Sequence, residues 1–177
     1  PALKSDSADI VIAGMNITPE RAKQVDFSDS YYKTGVVLLV KKDSTKITGW
    51  DSFTNGSGLK VAAQTGTLQA DIANKLKDEG KVSSVSVLNQ NTTALQQLEN
   101  GDVDAVLVDK PVAVDISASQ GDKFKMVGDI KPDSITDNGI AVKKGNKELL
   151  KKINAGLKHV KENGTYDKLA KKWKIEQ

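Results

Sequence analysis

The sequence predicts an α/β fold, and three observations carry that expectation. Short apolar runs of strand length recur along the chain, as in Val36-Val37-Leu38-Leu39-Val40. Between them lie stretches whose apolar residues stand three and four apart, the spacing of one helix face. The clearest of these stretches close on glycine, at Gly80, Gly101 and Gly164, where a helix stops most readily. Strands that alternate with helices in this way build a largely parallel sheet covered on its faces.

Each element follows from local chemistry. The opening Pro1-Ala2-Leu3-Lys4-Ser5 reads as the end of a helix feeding a parallel strand at 9–13. Gly14 follows that strand. Thr18 then caps a helix that has Pro19 at its first position and Glu20 in its first turn, each favoured there. Residues 30–35 read as a connector into strands at 36–40 and 59–63. A tight turn at Gln64-Thr65-Gly66-Thr67 opens a helix at 68–79, with Ile72, Ala73 and Leu76 on one face. A strand at 85–88 precedes a helix at 93–100, which turns Leu95 and Leu98 inward. Asp109 ends a strand at 103–108, just before a helix that Pro111 could start. A strand at 125–127 and a connector at 131–139 lead to a strand at 139–142. The longest helix, 147–163, repeats Leu149, Leu150, Ile153, Leu157 and Val160, and Thr165 reads as the N-cap of a last helix through Trp173. Because the middle is entered and left through connectors, residues 36–131 read as a lobe inserted in another made of 1–35 and 132–177. Two hinge strands would join them.

Composition narrows the function classes. The chain has 177 residues, is 38% apolar and 28% charged, and carries a net charge of only +3. Its one concentrated basic stretch, Lys168 to Lys174, has the spacing of a solvated helix face, which argues against nucleic-acid binding. The absence of cysteine removes disulfides, thiolate nucleophiles and Cys-based metal sites. No apolar run approaches the ~20 residues that span a bilayer. No metal-ligand spacing occurs, and no motif calls for a cofactor.

Three places could carry chemistry. Arg21 is the only arginine among 26 basic residues. Its planar, permanently charged fork can hold a carboxylate through two parallel hydrogen bonds, which a lysine cannot do. It stands just inside a capped helix start, after a strand that ends at Gly14, where open α/β sheets bind ligands. An exposed arginine on a well-capped helix is the simpler alternative. The turn before Leu68 is a second strand-to-helix junction, with Gly66 for the bend and Thr67 to cap. It lacks the Gly-Lys-Ser/Thr ending of a phosphate loop, as does Gly56-Ser57-Gly58. Asp109 is the third, either a helix cap or a carboxylate aimed into a cleft to meet an ammonium group. Arg21 and Asp109 together would match the two charges of a zwitterion.

These residues, in this order, resemble the extracytoplasmic solute-binding proteins of polar amino-acid ABC transporters, in particular the glutamine-binding branch. The resemblance rests on Ala13-Gly14-Met15-Asn16-Ile17-Thr18-Pro19-Glu20-Arg21 followed by Val25-Asp26-Phe27-Ser28-Asp29-Ser30-Tyr31-Tyr32. It extends through Gln64-Thr65-Gly66-Thr67, Asn100-Gly101-Asp102-Val103-Asp104-Ala105 with Asp109, and Glu162-Asn163-Gly164-Thr165-Tyr166 with Lys172-Trp173. It implies a two-lobe, periplasmic-binding-protein-like fold that closes on an amino acid and presents it to membrane subunits of an ABC transporter. By position, the Gly14 carbonyl and Asp109 would take the α-ammonium group. Arg21, amides near Asn16 and Leu68, and the Thr67 hydroxyl would take the α-carboxylate, while Gln64 would face the ligand's side chain.

Departures from the family pattern qualify this expectation. Asn16 stands where the family usually has Thr or Ser, and Leu68 where a small residue is common. Some glutamine binders place lysine where this chain has Gln64 and histidine where it has Val108. The stretch that supplies the family's first strands and an aromatic clamp on the ligand is absent. Lobe one is therefore expected to be incomplete at its N-terminus and to expose a sheet edge and part of its core. A fragment, a partial chain, or a lobe completed by a second chain or swapped segment would each account for that.

Two other functions are compatible with the same residues. One is an amino-acid-sensing domain of a receptor. The other is a dehydratase on the same scaffold, which would want a positioned acid–base group. The sole histidine, His159, falls in a lysine-rich helix instead, so binding without catalysis is the expectation.

Overall fold

In the computed structural model the elements follow in the order β1 (Ile10–Val11), α1 (Pro19–Ala22), β2 (Val25–Phe27), β3 (Tyr32–Thr34) and β4 (Val36–Lys41). Next come α2 (Trp50–Asn55), β5 (Lys60–Gln64), α3 (Leu68–Asp78), β6 (Ser84–Leu88) and α4 (Asn91–Asn100). Then follow β7 (Ala105–Asp109), α5 (Lys110–Ser119), β8 (Phe124–Val127), β9 (Thr136–Asn138) and β10 (Ala141–Lys143). The chain ends with α6 (Lys147–Glu162) and α7 (Thr165–Trp173). The structure describes residues 1–55, 58–173 and 175. Gly56 and Ser57 of the glycine-rich turn, and Lys174 of the basic stretch, lie outside the described residues. The elements divide into two compact units, one of residues 1–34 and 136–177 and the other of residues 35–135.

The second unit is a five-stranded sheet in the order β6-β5-β7-β4-β8. The βα repeats at its centre make β5 parallel to both β6 and β7, while β4 runs antiparallel to β7 and β8. Strand alternation sorts the side chains into two layers. Val36, Leu38 and Val40 of β4 join Val61 and Leu107 beneath α2 and α3, with Phe53, Ala73 and Leu76. Val37 and Leu39 join Ala62, Val106 and Val108 beneath α4 and α5, with Leu98 and Ile116. This is why β4 reads as an unbroken apolar run: both of its faces are covered. Each fully buried Leu, Val or Phe contributes roughly 1.5–3 kcal/mol of burial. Thr67 caps α3 by accepting the Ala70 N–H at 3.3 Å, and α4 stops at Gly101 with φ 82°, as its glycine predicts.

The first unit holds a three-stranded antiparallel sheet, β1-β10-β2. The parallel strand expected at 9–13 is instead two residues long and pairs antiparallel with β10, Ile10 facing Val142. Unlike β5 of the second unit, which pairs parallel with β6 and β7, β1 pairs only antiparallel among the described residues. Thr165, expected as an N-cap, is the first residue of α7, and Asn163 Oδ1 accepts its N–H at 2.9 Å. The buried cluster here is small: Leu3, Val25 and Ala141, with Val11, Met15 and Phe27 packed against it. The apolar face of α6 is real but only half-covered, for Leu149, Leu150, Ile153, Leu157 and Val160 are all partly exposed. Ile12 and Trp173 stay 60% and 62% exposed, so this unit leaves apolar surface unburied.

What the small cluster lacks in burial is supplemented by charge. The buried Asp26 on β2 accepts the Gly145 N–H at 2.9 Å and pairs with Lys144 at 2.8 Å and Lys147 at 3.3 Å. The Lys144 hydrogen bond first, then the Gly145 amide, hold its carboxyl at about 2, below the ordinary 3.8. A carboxyl whose folded-state value is depressed stabilises the fold above its unfolded value, and that stabilisation is lost as pH falls through the folded value. Urea unfolding of the natural protein and of Asp26→Asn should therefore give midpoints that differ fully above pH 4 and converge as the pH approaches 2.

Candidate functional site

In the first unit, Gly14, Asn16 and Arg21 come together on one loop and the single turn of α1. Thr18 has extended backbone and its Oγ1 accepts the Arg21 N–H at 3.2 Å, which caps the turn. Gly14 takes φ +61°, a conformation that favours glycine, and its N–H donates to the Tyr31 hydroxyl at 3.0 Å. Its carbonyl is thereby held in place at the exposed end of the loop.

Residues 15–17 run against β9. The Ile17 N–H donates to Asp137 O at 2.8 Å and the Gly139 N–H donates to Met15 O at 3.1 Å, around a bridge of Asn16 with Asn138. In that pattern the bridged residues form the non-hydrogen-bonded pair, so the Asn16 N–H and C=O point away from β9. The carbonyl accepts from Arg21 Nη1 at 3.0 Å. The Asn16 N–H meets no acceptor among the described residues. One edge of the Arg21 fork is thus fastened beside the Asn16 amide. A guanidinium and a backbone N–H are both donor types suited to a carboxylate.

In the second unit, Gln64, Thr67, Leu68 and Asp109 sit at the carboxyl ends of the adjacent parallel strands β5 and β7. From β5 the chain passes through α3 to β6 on one side, then through α4 to β7 on the other. Because α3 and α4 cover opposite faces, this is the point where the winding reverses and where open α/β sheets bind ligands. Leu68 opens α3, and its N–H has no acceptor among the described residues. The Thr67 hydroxyl donates to Gln64 O at 2.6 Å while it accepts from Ala70 N. Its proton is already used within the turn, so the Leu68 amide is the donor better placed for an anion. Gln64 Nε2 donates to Asn89 O at 3.1 Å, which leaves Oε1 as an acceptor. Asp109 occupies the N-cap position of α5 but makes no capping bond, so capping does not account for its carboxylate.

A family model described as bacterial extracellular solute-binding proteins, family 3, matches residues 1–176. The chain belongs to that family. Among curated members it is 37% identical, over 173 residues, to the ABC transporter glutamine-binding protein GlnH of Bacillus subtilis; the match covers 98% of the chain and 60% of GlnH. It is 35% identical to the arginine-binding extracellular protein ArtP of the same species, covering 97% of the chain and 65% of ArtP. The chain therefore spans less than two thirds of each. Among solved structures it resembles an ancestral arginine-binding protein bound to arginine, with a TM-score of 0.86 and 41% identity, covering 98% of this chain and 74% of that one. These family 3 relatives give no support to a second chain or swapped segment completing the first unit.

Two residues of this region receive no role from the sequence: Tyr31, which stands in the motif of the resemblance, and Thr136, which lies in a stretch that reads only as a connector. Thr136 Oγ1 accepts a hydrogen bond from Asn16 Nδ2 at 2.8 Å, a contact 120 residues apart in the chain. Loss of the Thr18 hydroxyl should loosen the turn that carries Arg21. Thr18→Ala is expected to cost about 1 kcal/mol locally, read as faster hydrogen exchange at the Arg21 amide with exchange in β5 and β7 unchanged.

Proposed function

We propose that this protein binds a polar L-amino acid outside the cytoplasm and delivers it to the membrane subunits of an ABC transporter. The observation that supports the reading is in the first unit, where the Arg21 guanidinium is anchored at 3.0 Å to the carbonyl of Asn16, the residue whose N–H points away from β9. Two or more charge-assisted donors suit the α-carboxylate, the group every amino acid shares. In the first unit the Gly14 carbonyl suits an α-ammonium group; in the second, the Leu68 amide suits a carboxylate and Asp109 an ammonium group. The relatives named for glutamine and arginine support the class of ligand and the transporter partner.

A free acceptor on Gln64 favours a ligand side chain that ends in N–H donors. Glutamine is our first choice, and it fits the resemblance to the glutamine-binding protein. The family's description as extracellular supports a place outside the cytoplasm, and we assign the protein to the periplasm or to a lipid anchor at the outer face of the cell membrane.

Calorimetry with a panel of amino acids tests this directly. In the complete protein, Arg21→Ala should weaken binding of the best ligand by at least tenfold, since a charge-assisted hydrogen bond in a water-poor site is worth ~1.5–3 kcal/mol. Arg21→Lys should fall nearly as far, because an ammonium group cannot reproduce the two-pronged geometry. Unchanged affinity in both variants would sink the assignment.

A further inference from the structure

The residues that would touch the ligand in the first unit are held by others that would not. Residues 15–17 have no strand of their own. They are held against β9 by two backbone hydrogen bonds and by the side chain of Asn16, which is only 4% exposed. Asn16 Nδ2 donates to Thr136 Oγ1 at 2.8 Å. Thr136 opens β9, the first residue of this unit after the chain returns from residues 35–135. It pairs with Thr34, the last residue before the chain leaves, so the β3–β9 ribbon carries both connections.

We propose that Thr136 is a positioning residue for the amino-acid site, acting through the Asn16 side chain. The contact makes a short physical chain. Thr136 Oγ1 fixes the Asn16 side chain, and Asn16 O accepts from Arg21 Nη1 at 3.0 Å. The Asn16 N–H lies in the peptide plane shared with Met15 and its C=O in the plane shared with Ile17, so the backbone angles of residue 16 set both where the N–H points and where the Arg21 fork is fastened. Two backbone bonds fix the register of residues 15–17, but residue 16 is the non-hydrogen-bonded member of its pair. The bonds at Met15 O and Ile17 N hold the peptides on either side of residue 16, and the Asn16 side chain adds a third attachment, to Thr136. The same contact explains why asparagine serves here. Its amide spans the gap to β9, and its backbone is left to face the ligand.

The ribbon's state would then be felt at the carboxylate donors without any movement of β1 or β10. A strand that bends or shifts at its first residue displaces Thr136, and with it the Asn16 peptide. The inference rests on the reading of this site as an amino-acid cradle, and the test separates the two.

Dissociation constants for the best amino-acid ligand would be measured calorimetrically in the full-length protein for the natural sequence, Thr136→Val, Thr136→Ser, Asn16→Ala and the double variant Asn16→Ala/Thr136→Val. Valine keeps the shape and the strand preference of threonine but removes the acceptor. We expect Thr136→Val to weaken binding about five- to twentyfold, and Thr136→Ser to bind as the natural protein does. The double variant should be no weaker than the weaker single variant, because both remove one contact. Thermal unfolding without ligand should barely separate Thr136→Val from Thr136→Ser.

Unchanged affinity in Thr136→Val, an equal loss in Thr136→Ser, or losses that multiply in the double variant would each overturn the inference. Failure of the natural protein to bind any amino acid would instead remove the reading of the site on which the inference stands.

Discussion

The bridge between Asn16 and Asn138 is the constraint on which the first unit's chemistry depends. An antiparallel pair alternates between residues whose backbone groups face the partner strand and residues whose groups face away. Asn16 falls in the second class only because Ile17 and Met15 take up the bonds to β9. A shift by one residue would turn its N–H inward and aim the donors of its neighbours outward instead. Arg21 would then lose the carbonyl that fastens it. The placement of these groups is thus a matter of strand register, and the arginine is its visible part.

The second unit solves a different problem. Its groups project from the ends of strands buried on both faces, so the sheet itself fixes their separation. Val61 lies opposite Ala105 and Ala62 opposite Val106, which brings the ends of β5 and β7 level. Small residues at Ala62, Ala63 and Ala105 let the covering helices approach closely without crowding those ends. A rigid sheet end supplies fixed groups at Gln64, Leu68 and Asp109. The first unit supplies groups borne on a loop, held by a few specific bonds.

Legibility in the sequence follows the range of the forces involved. The apolar run at Val36 to Val40 and the faces of α3 and α4 are written locally, and the structure carries strand and helices there. Gly101 and Gly164 mark helix ends through their own backbone freedom, so they too could be read one residue at a time. By contrast β2, β3 and β9 have three residues each and no pattern of their own. They exist because distant strands pair with them, Asp26 with Val142 and Tyr32 with Asn138. The same holds for the site. Arg21, Gly14 and Asp109 stand out by residue type and position, whereas Thr136 and Tyr31 matter only through partners far away in the chain. The Thr67 hydroxyl was readable as a donor from its type, and only the turn's geometry shows that its proton is spent on Gln64 O.

The solitary arginine gives the molecule a chemical singularity. Dicarbonyl reagents that condense with guanidinium groups distinguish arginine from lysine, and this chain offers them one target among 26 basic residues. Modification can therefore reach a stoichiometry of no more than one per chain, and every adduct reports on the same loop. Under the function proposed above, protection from such a reagent reads out occupancy beside Arg21, with no engineered label and no competing signal from the lysine-covered surface.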